Sequence, residues 1–154
     1  MSWVQRSLGN SAVVLALASA SPEAVFDALT DPQRIPDWHA GVEIKDVTGP
    51  LAVGAAFTIV GTMLGRKQEF RRTITQFERP RLFAMEGPGG GILARFAPAA
   101  DGTDLVTEEE FAMPLGSVGE WATEHLFKRW AMSEIAKSLE SLKALVEAEV
   151  AAHA

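Results

Sequence analysis

Apolar and polar positions alternate with the period of a pleated strand through the middle of this chain, and recur with the period of a helix on either side. Six segments alternate or carry β-branched and aromatic residues: Gly41 to Thr48, Ala55 to Leu64, Lys67 to Glu78, Arg81 to Glu86, Gly91 to Ala97 and Thr103 to Met113. Turn chemistry separates them at Gly49-Pro50, Gly65, Arg79-Pro80, Gly87-Pro88-Gly89-Gly90 and Asp101-Gly102. A further strand from about Ser11 to Ser19 makes seven.

Two short helices and one long one complete the pattern. Ser21-Pro22 reads as an N-cap followed by proline at the first helical position, and Val25, Phe26 and Leu29 share one face. Asp31-Pro32 stops this helix and caps a second, shorter one reaching Trp38. Near the end, Ser117 and Glu120 form an S-x-x-E capping box, and neither Pro nor Gly interrupts Trp121 to Ala154. The helix predicted there is about 30 residues long, or about 45 Å. Short connections between strands imply an antiparallel meander, and strands followed by a helix imply an α+β layered domain. The reading is one domain over 1–154, with an N-terminal extension at 1–10 and a frayed tail at 148–154.

Only the long helix can cover the sheet. At 100° per residue, Trp121, His125, Lys128, Met132, Ile135, Leu139, Leu142 and Val146 fall on one stripe. From Met132 onward that stripe is aliphatic core. Its first turns place a Trp, a His and a Lys where a sealed interior would take aliphatics, which points to a wetted pocket between helix and sheet.

Composition narrows the function classes. Fourteen Lys and Arg against twenty Asp and Glu give a net charge of −6, which argues against a nucleic-acid surface. No apolar run is long enough for an integral membrane segment. With no cysteine and three dispersed histidines, the chain offers neither disulfide nor metal site, and no cofactor is called for. Arg6, the apolar stretch Ala12 to Ala18 and Ala18-Ser19-Ala20 have the order of a cleavable leader. The stretch is only seven residues, and a helix start follows at once, so a strand in a cytoplasmic protein is the expectation.

Ala20-Ser21-Pro22-Glu23-Ala24-Val25-Phe26-Asp27-Ala28-Leu29-Thr30-Asp31-Pro32, followed by Trp38, resembles the opening of START-like, helix-grip (SRPBCC) proteins, which include polyketide cyclases/dehydrases. Ile74 to Leu82, Asp101-Gly102-Thr103 and the closing Leu139 to Glu147 also sit where that family has its characteristic segments. The resemblance implies a curved seven-stranded antiparallel sheet wrapped around the C-terminal helix, with a deep cavity beneath it. These motifs are packing and turn residues, so they specify fold and leave activity open.

Candidate site residues follow from the faces. Trp38, Phe57, Ile59, Met63, Phe111 and Trp121 are wall candidates for a ring-containing ligand, with Met132 beside them, and as ordinary core they would look the same. His125 is the candidate proton shuttle, its alternative a histidine hydrogen-bonded at the rim. Lys128 can pair a ligand anion or snorkel to solvent. On the last strand Leu105, Thr107, Glu109, Phe111 and Met113 share the more apolar face. On an earlier strand Phe70, Arg72, Ile74 and Gln76 share one. Glu109 and Arg72 are then internal unless a bulge reverses them. The absence of tyrosine removes a common carbonyl-fixing donor and weighs against catalysis. Leu126, Phe127 and Trp130 lie opposite Leu139, either under the N-terminal segment carrying Trp3 and Val4 or in a subunit contact, with a homodimer favoured. The glycine run at 87–91 reads as a flexible hairpin at the cavity mouth.

Three functions remain: binding of a small hydrophobic, polycyclic or lipid-like molecule, oriented by His125 with Lys128 or Arg72; a polyketide cyclase/dehydrase-type enzyme using His125 and Glu109 as acid and base; and a protein-interaction module acting through the outer helix face.

Overall fold

The structure is a computed structural model that describes residues 12–63, 65–111 and 128–153. Strand β1 (Ala12–Ala18) leads into helices α1 (Pro22–Thr30) and α2 (Ile35–Trp38). Strands β2 (Glu43–Thr48), β3 (Ala56–Met63), β4 (Arg66–Glu78), β5 (Leu82–Gly87), β6 (Gly90–Ala99) and β7 (Gly102–Phe111) follow, then helix α3 (Lys128–Ala152). The seven strands form one antiparallel sheet in the order β1-β7-β6-β5-β4-β3-β2. Five neighbours are consecutive hairpin partners, and the α1–α2 excursion carries the chain from β1 at one edge to β2 at the other.

Local signals set the element ends. Ser21 holds an extended backbone, its hydroxyl accepts from the Ala24 amide at 3.2 Å, and Pro22 takes the first helical position. Asp31 ends α1 and its carboxylate accepts from the Gln33 amide at 2.9 Å, shaping the turn into α2. Trp38 donates from Nε1 to the Ala28 carbonyl at 3.2 Å, which pins α2 against α1.

The core lies between the sheet and the helices. Phe26 meets Phe77, Phe83 and Phe96 with ring centroids 5.2, 6.4 and 5.1 Å apart, the first two edge-on. The buried rings of Phe26, Phe83 and Phe96 each contribute about 1.5–3 kcal/mol relative to exposure. Leu139, Leu142 and Val146 carry α3 onto this cluster. Residue pairing slips between Ile74 and Gln76, so Thr75 is an extra residue in β4. This bulge corrects the expected face: Gln76 leaves it, and Phe77 turns inward to meet Phe26 and Phe83. It also leaves the buried Thr75 hydroxyl without a partner.

The tail expected to fray at 148 is instead helical to Ala152. Arg34 donates to both carboxylate oxygens of Glu149, and Val150 packs on the core. Farther up the helix, Lys143 donates to the Ala16 carbonyl at 2.8 Å and Glu147 accepts from the Ala18 amide at 2.7 Å. At the other edge, β2 breaks register between Lys45 and Thr48, with Asp46 at φ 54° and its carbonyl accepting from Arg71. Among the described residues no helix is long and apolar enough to cross a membrane. The capping box at Ser117 and Glu120 lies outside them.

Candidate functional site: a cavity between the sheet and the long helix

A cavity of about 350 Å³ opens between β3–β7, α2 and the first half of α3. Its walls are mainly apolar, with Leu29, Ile35, Trp38, Ile59, Phe70, Met85 and Ile92 among them. Polar groups enter at two places.

On the sheet side stand Arg72 and Glu109. Strand alternation aims both inward: Leu105, Thr107 and Glu109 are all buried on β7, and Arg72 shares its face of β4 with the buried Ile74. Arg72 and Glu109 are 9% and 8% exposed. They line one cavity, yet the guanidinium spends Nη1 on two backbone carbonyls, Arg71 at 3.0 Å and Pro88 at 2.9 Å. Burial pushes the Glu109 carboxyl up to about 8, against the opposing pull of the Arg72 charge. Burial also lowers the Arg72 pKa, partly offset by Glu109. At neutral pH Glu109 is therefore a carboxylic acid, a donor as well as an acceptor.

The glycine run explains how Arg72 fits. Gly87 pairs with Gly90 around the two-residue turn Pro88-Gly89, which makes the expected hairpin a tight one. A Cβ on Gly87 would lie 2.0 Å from the Arg71 carbonyl oxygen and 3.2 Å from Arg72 Nη1. Missing side chains there leave the space the guanidinium occupies.

The second polar place lies on the helix side. His39, directly after α2, sets Nδ1 3.1 Å from the Ser138 hydroxyl, which also donates to the Glu134 carbonyl at 3.0 Å. Burial holds the imidazole below its ordinary value, against a backbone hydrogen bond at Ala40 and the charge of Glu134. His39 is thus neutral near pH 7, and it lines the cavity with Glu134 and Ser138.

Of the residues read from the sequence as site candidates, Trp38, Ile59, Arg72 and Glu109 line the cavity. Phe57 does not: it is packed into the core at 1% exposure. Met132 is half-buried outside the wall, because α3 turns Ala131, Glu134 and Ser138 toward α2 and the cavity. Trp130, placed on the outer face by helical phase, also borders the cavity while 41% exposed. His125, Trp121, Leu126 and Phe127 lie outside the described residues, as do the side chains of Met63, Phe111 and Lys128. Residue spacing does not single out His39, Ser138 or Glu134; the signal for His39 is its position after Trp38 at the end of a short helix. Among the described residues no group of three or more His, Asp or Glu is arranged to hold a metal.

Residues 13–147 match the family described as polyketide cyclase / dehydrase and lipid transport. No curated protein matches the sequence. Among solved structures, TTHA0849 from Thermus thermophilus is similar at 19% identity and TM-score 0.72, over 90% of this chain and 98% of that one. SA2116 from Staphylococcus aureus, a protein of unknown function, is similar at 14% identity and TM-score 0.67, over 90% and 94%. NE0264 from Nitrosomonas europaea follows at 16% identity and TM-score 0.65, over 93% and 98%. At these identities the likeness concerns the fold alone.

Proposed function

We propose that this chain, which belongs to the polyketide cyclase / dehydrase and lipid transport family, binds a small, mainly apolar molecule in the cavity beneath α3. One observation carries the reading: a largely apolar cavity of about 350 Å³ that contains two buried polar side chains, Arg72 and Glu109, not paired with each other. Apolar wall area supplies the driving force, and the polar groups orient one end of the guest. Nile red uptake tests it. Wild-type protein is expected to enhance the dye's fluorescence saturably, and Ala131→Trp, which fills the cavity from α3, is expected to abolish the enhancement with an unchanged circular dichroism spectrum. A wild type that takes up no dye, or a folded Ala131→Trp variant that binds it equally well, would refute the proposal.

A second reading is favoured by one further observation. A protonated carboxyl, Glu109, and an unprotonated imidazole, His39, face the same cavity. Those are the two states needed for acid-assisted enolisation and dehydration of a β-hydroxyketone. In that case Glu109→Gln retains Nile red uptake and loses turnover. Equal turnover in the variant excludes Glu109 as the acid.

A further inference from the structure

The guest's polar end can be specified further, on the premise that the cavity binds a small molecule as just proposed. Among the described residues no carboxylate is in ion-pair contact with the Arg72 guanidinium, although the residue is only 9% exposed. Its two carbonyl partners satisfy hydrogens on Nη1 and carry no formal charge to set against its own. The Phe70 ring, whose centroid is 5.4 Å from the Arg72 guanidinium carbon, gives a cation–π contact but brings no formal negative charge. A buried cation of this kind is stabilised most by an anion with matching geometry, and guanidinium matches the oxygens of a carboxylate.

Glu109 does not supply that anion. Burial keeps it protonated at neutral pH, and no donor among the described residues bonds to its carboxyl. As an acid it offers a second donor into the same space. The remaining acidic wall residue, Glu134, is engaged with Lys137 at 3.4 Å on the helix side, and His39 is neutral. The glycines of the β5–β6 hairpin, Gly87 beneath the guanidinium and Gly89 in the wall, add no side chain of their own to the sheet side of the cavity beside Arg72.

We propose that the guest is an organic acid, bound as its anion, with its charged oxygens between Arg72 and Glu109 and its apolar body against Trp38, Ile59 and Ile92. An uncharged guest of the same shape leaves the Arg72 charge unmatched, and an amine adds a second positive charge to it.

Isothermal titration of wild-type protein at pH 6.5 with 2-naphthoate, 2-acetylnaphthalene and 2-naphthylmethylamine tests this, since the three differ little in size and differ in charge. Naphthoate is expected to bind at least ten-fold more tightly than the ketone, with the amine weakest. Raising the pH to 9.5 ionises Glu109 and is expected to weaken naphthoate at least ten-fold in wild type and far less in Glu109→Gln. Arg72→Met is expected to remove the preference for naphthoate. The wild-type comparison decides alone if that variant does not fold. A ketone or amine that binds as tightly as naphthoate overturns the proposal. So does failure of all three to bind while Nile red is still taken up, an outcome that leaves cavity binding standing. Failure of Nile red as well removes both.

Discussion

Arg72 lies against Gly87, and the lack of a side chain at that residue leaves room for its guanidinium. The neighbouring strand position would put a Cβ 3.2 Å from Arg72 Nη1, and closer still to the Arg71 backbone. A glycine-rich run that reads in the sequence as a flexible hairpin is also a packing surface for a buried cation.

Gly87→Ala is therefore expected to destabilise the fold by about 1–3 kcal/mol, because the clash at 2.0 Å is with a backbone carbonyl that cannot rotate away. Urea unfolding measures the loss. Stability equal to wild type would mean that the hairpin shifts without cost and that glycine is not required there.

Glu109 makes stability depend on pH in the direction opposite to a surface carboxylate. Its folded pKa of about 8 lies above the ordinary acid value of 4.5, so the folded state holds a proton that the unfolded state has released. The contribution is complete below about pH 4.5 and is lost as pH rises toward 8, by an amount on the order of 4 kcal/mol. Glu109→Gln is expected to flatten this alkaline decline in thermal midpoint. A variant with the wild-type pH profile would show that the carboxyl is not held neutral.

His39 acts at the acidic side. Its folded pKa is lowered by burial, so protons taken up only by the unfolded state erode stability as pH falls below about 6.5. An imidazole carbon resonance titrating below the ordinary histidine value is the expected signature. Ser138→Ala, which removes the 3.1 Å contact to Nδ1, is expected to cost about 1 kcal/mol. A His39 resonance titrating at or above 6.5 would contradict the burial argument.

Trp38 fills part of the wall and ties α2 to α1. Trp38→Phe removes the bond to the Ala28 carbonyl and enlarges the cavity, with an expected loss of about 1–3 kcal/mol. Nile red uptake should persist, because the wall remains apolar. Loss of uptake in a folded variant would assign the indole a direct role in holding the guest.

Most of this fold is legible from residue spacing. The period-two strands, the Gly and Pro punctuation between them and the Ser21-Pro22 helix start correspond to β1–β7 and α1 within a few residues. Strand alternation also sends Arg72 and Glu109 inward, since nothing interrupts it before either residue. It fails at Gln76, because the bulge at Thr75 is a property of pairing with β5 and leaves no mark on the alternation itself. His39 is illegible for a related reason: its partner Ser138 is 99 positions away, and only the docking of α2 on α3 brings them together. The same docking turns Ala131 in place of Met132 to the cavity, a rotation that helical phase does not set. The protonation state of Glu109 depends on the burial around it, which a residue's type does not reveal.

Both rims of the sheet deny an incoming chain a clean ladder to copy. Along β1 the outward carbonyl of Ala16 and the outward amide of Ala18 are already taken by Lys143 and Glu147, one helical turn apart on α3. Along β2 the left-handed kink at Asp46 breaks the register. A row of unsatisfied strand groups invites self-association into fibres, and here a pair of charged side chains at one margin and a twist at the other leave little such template.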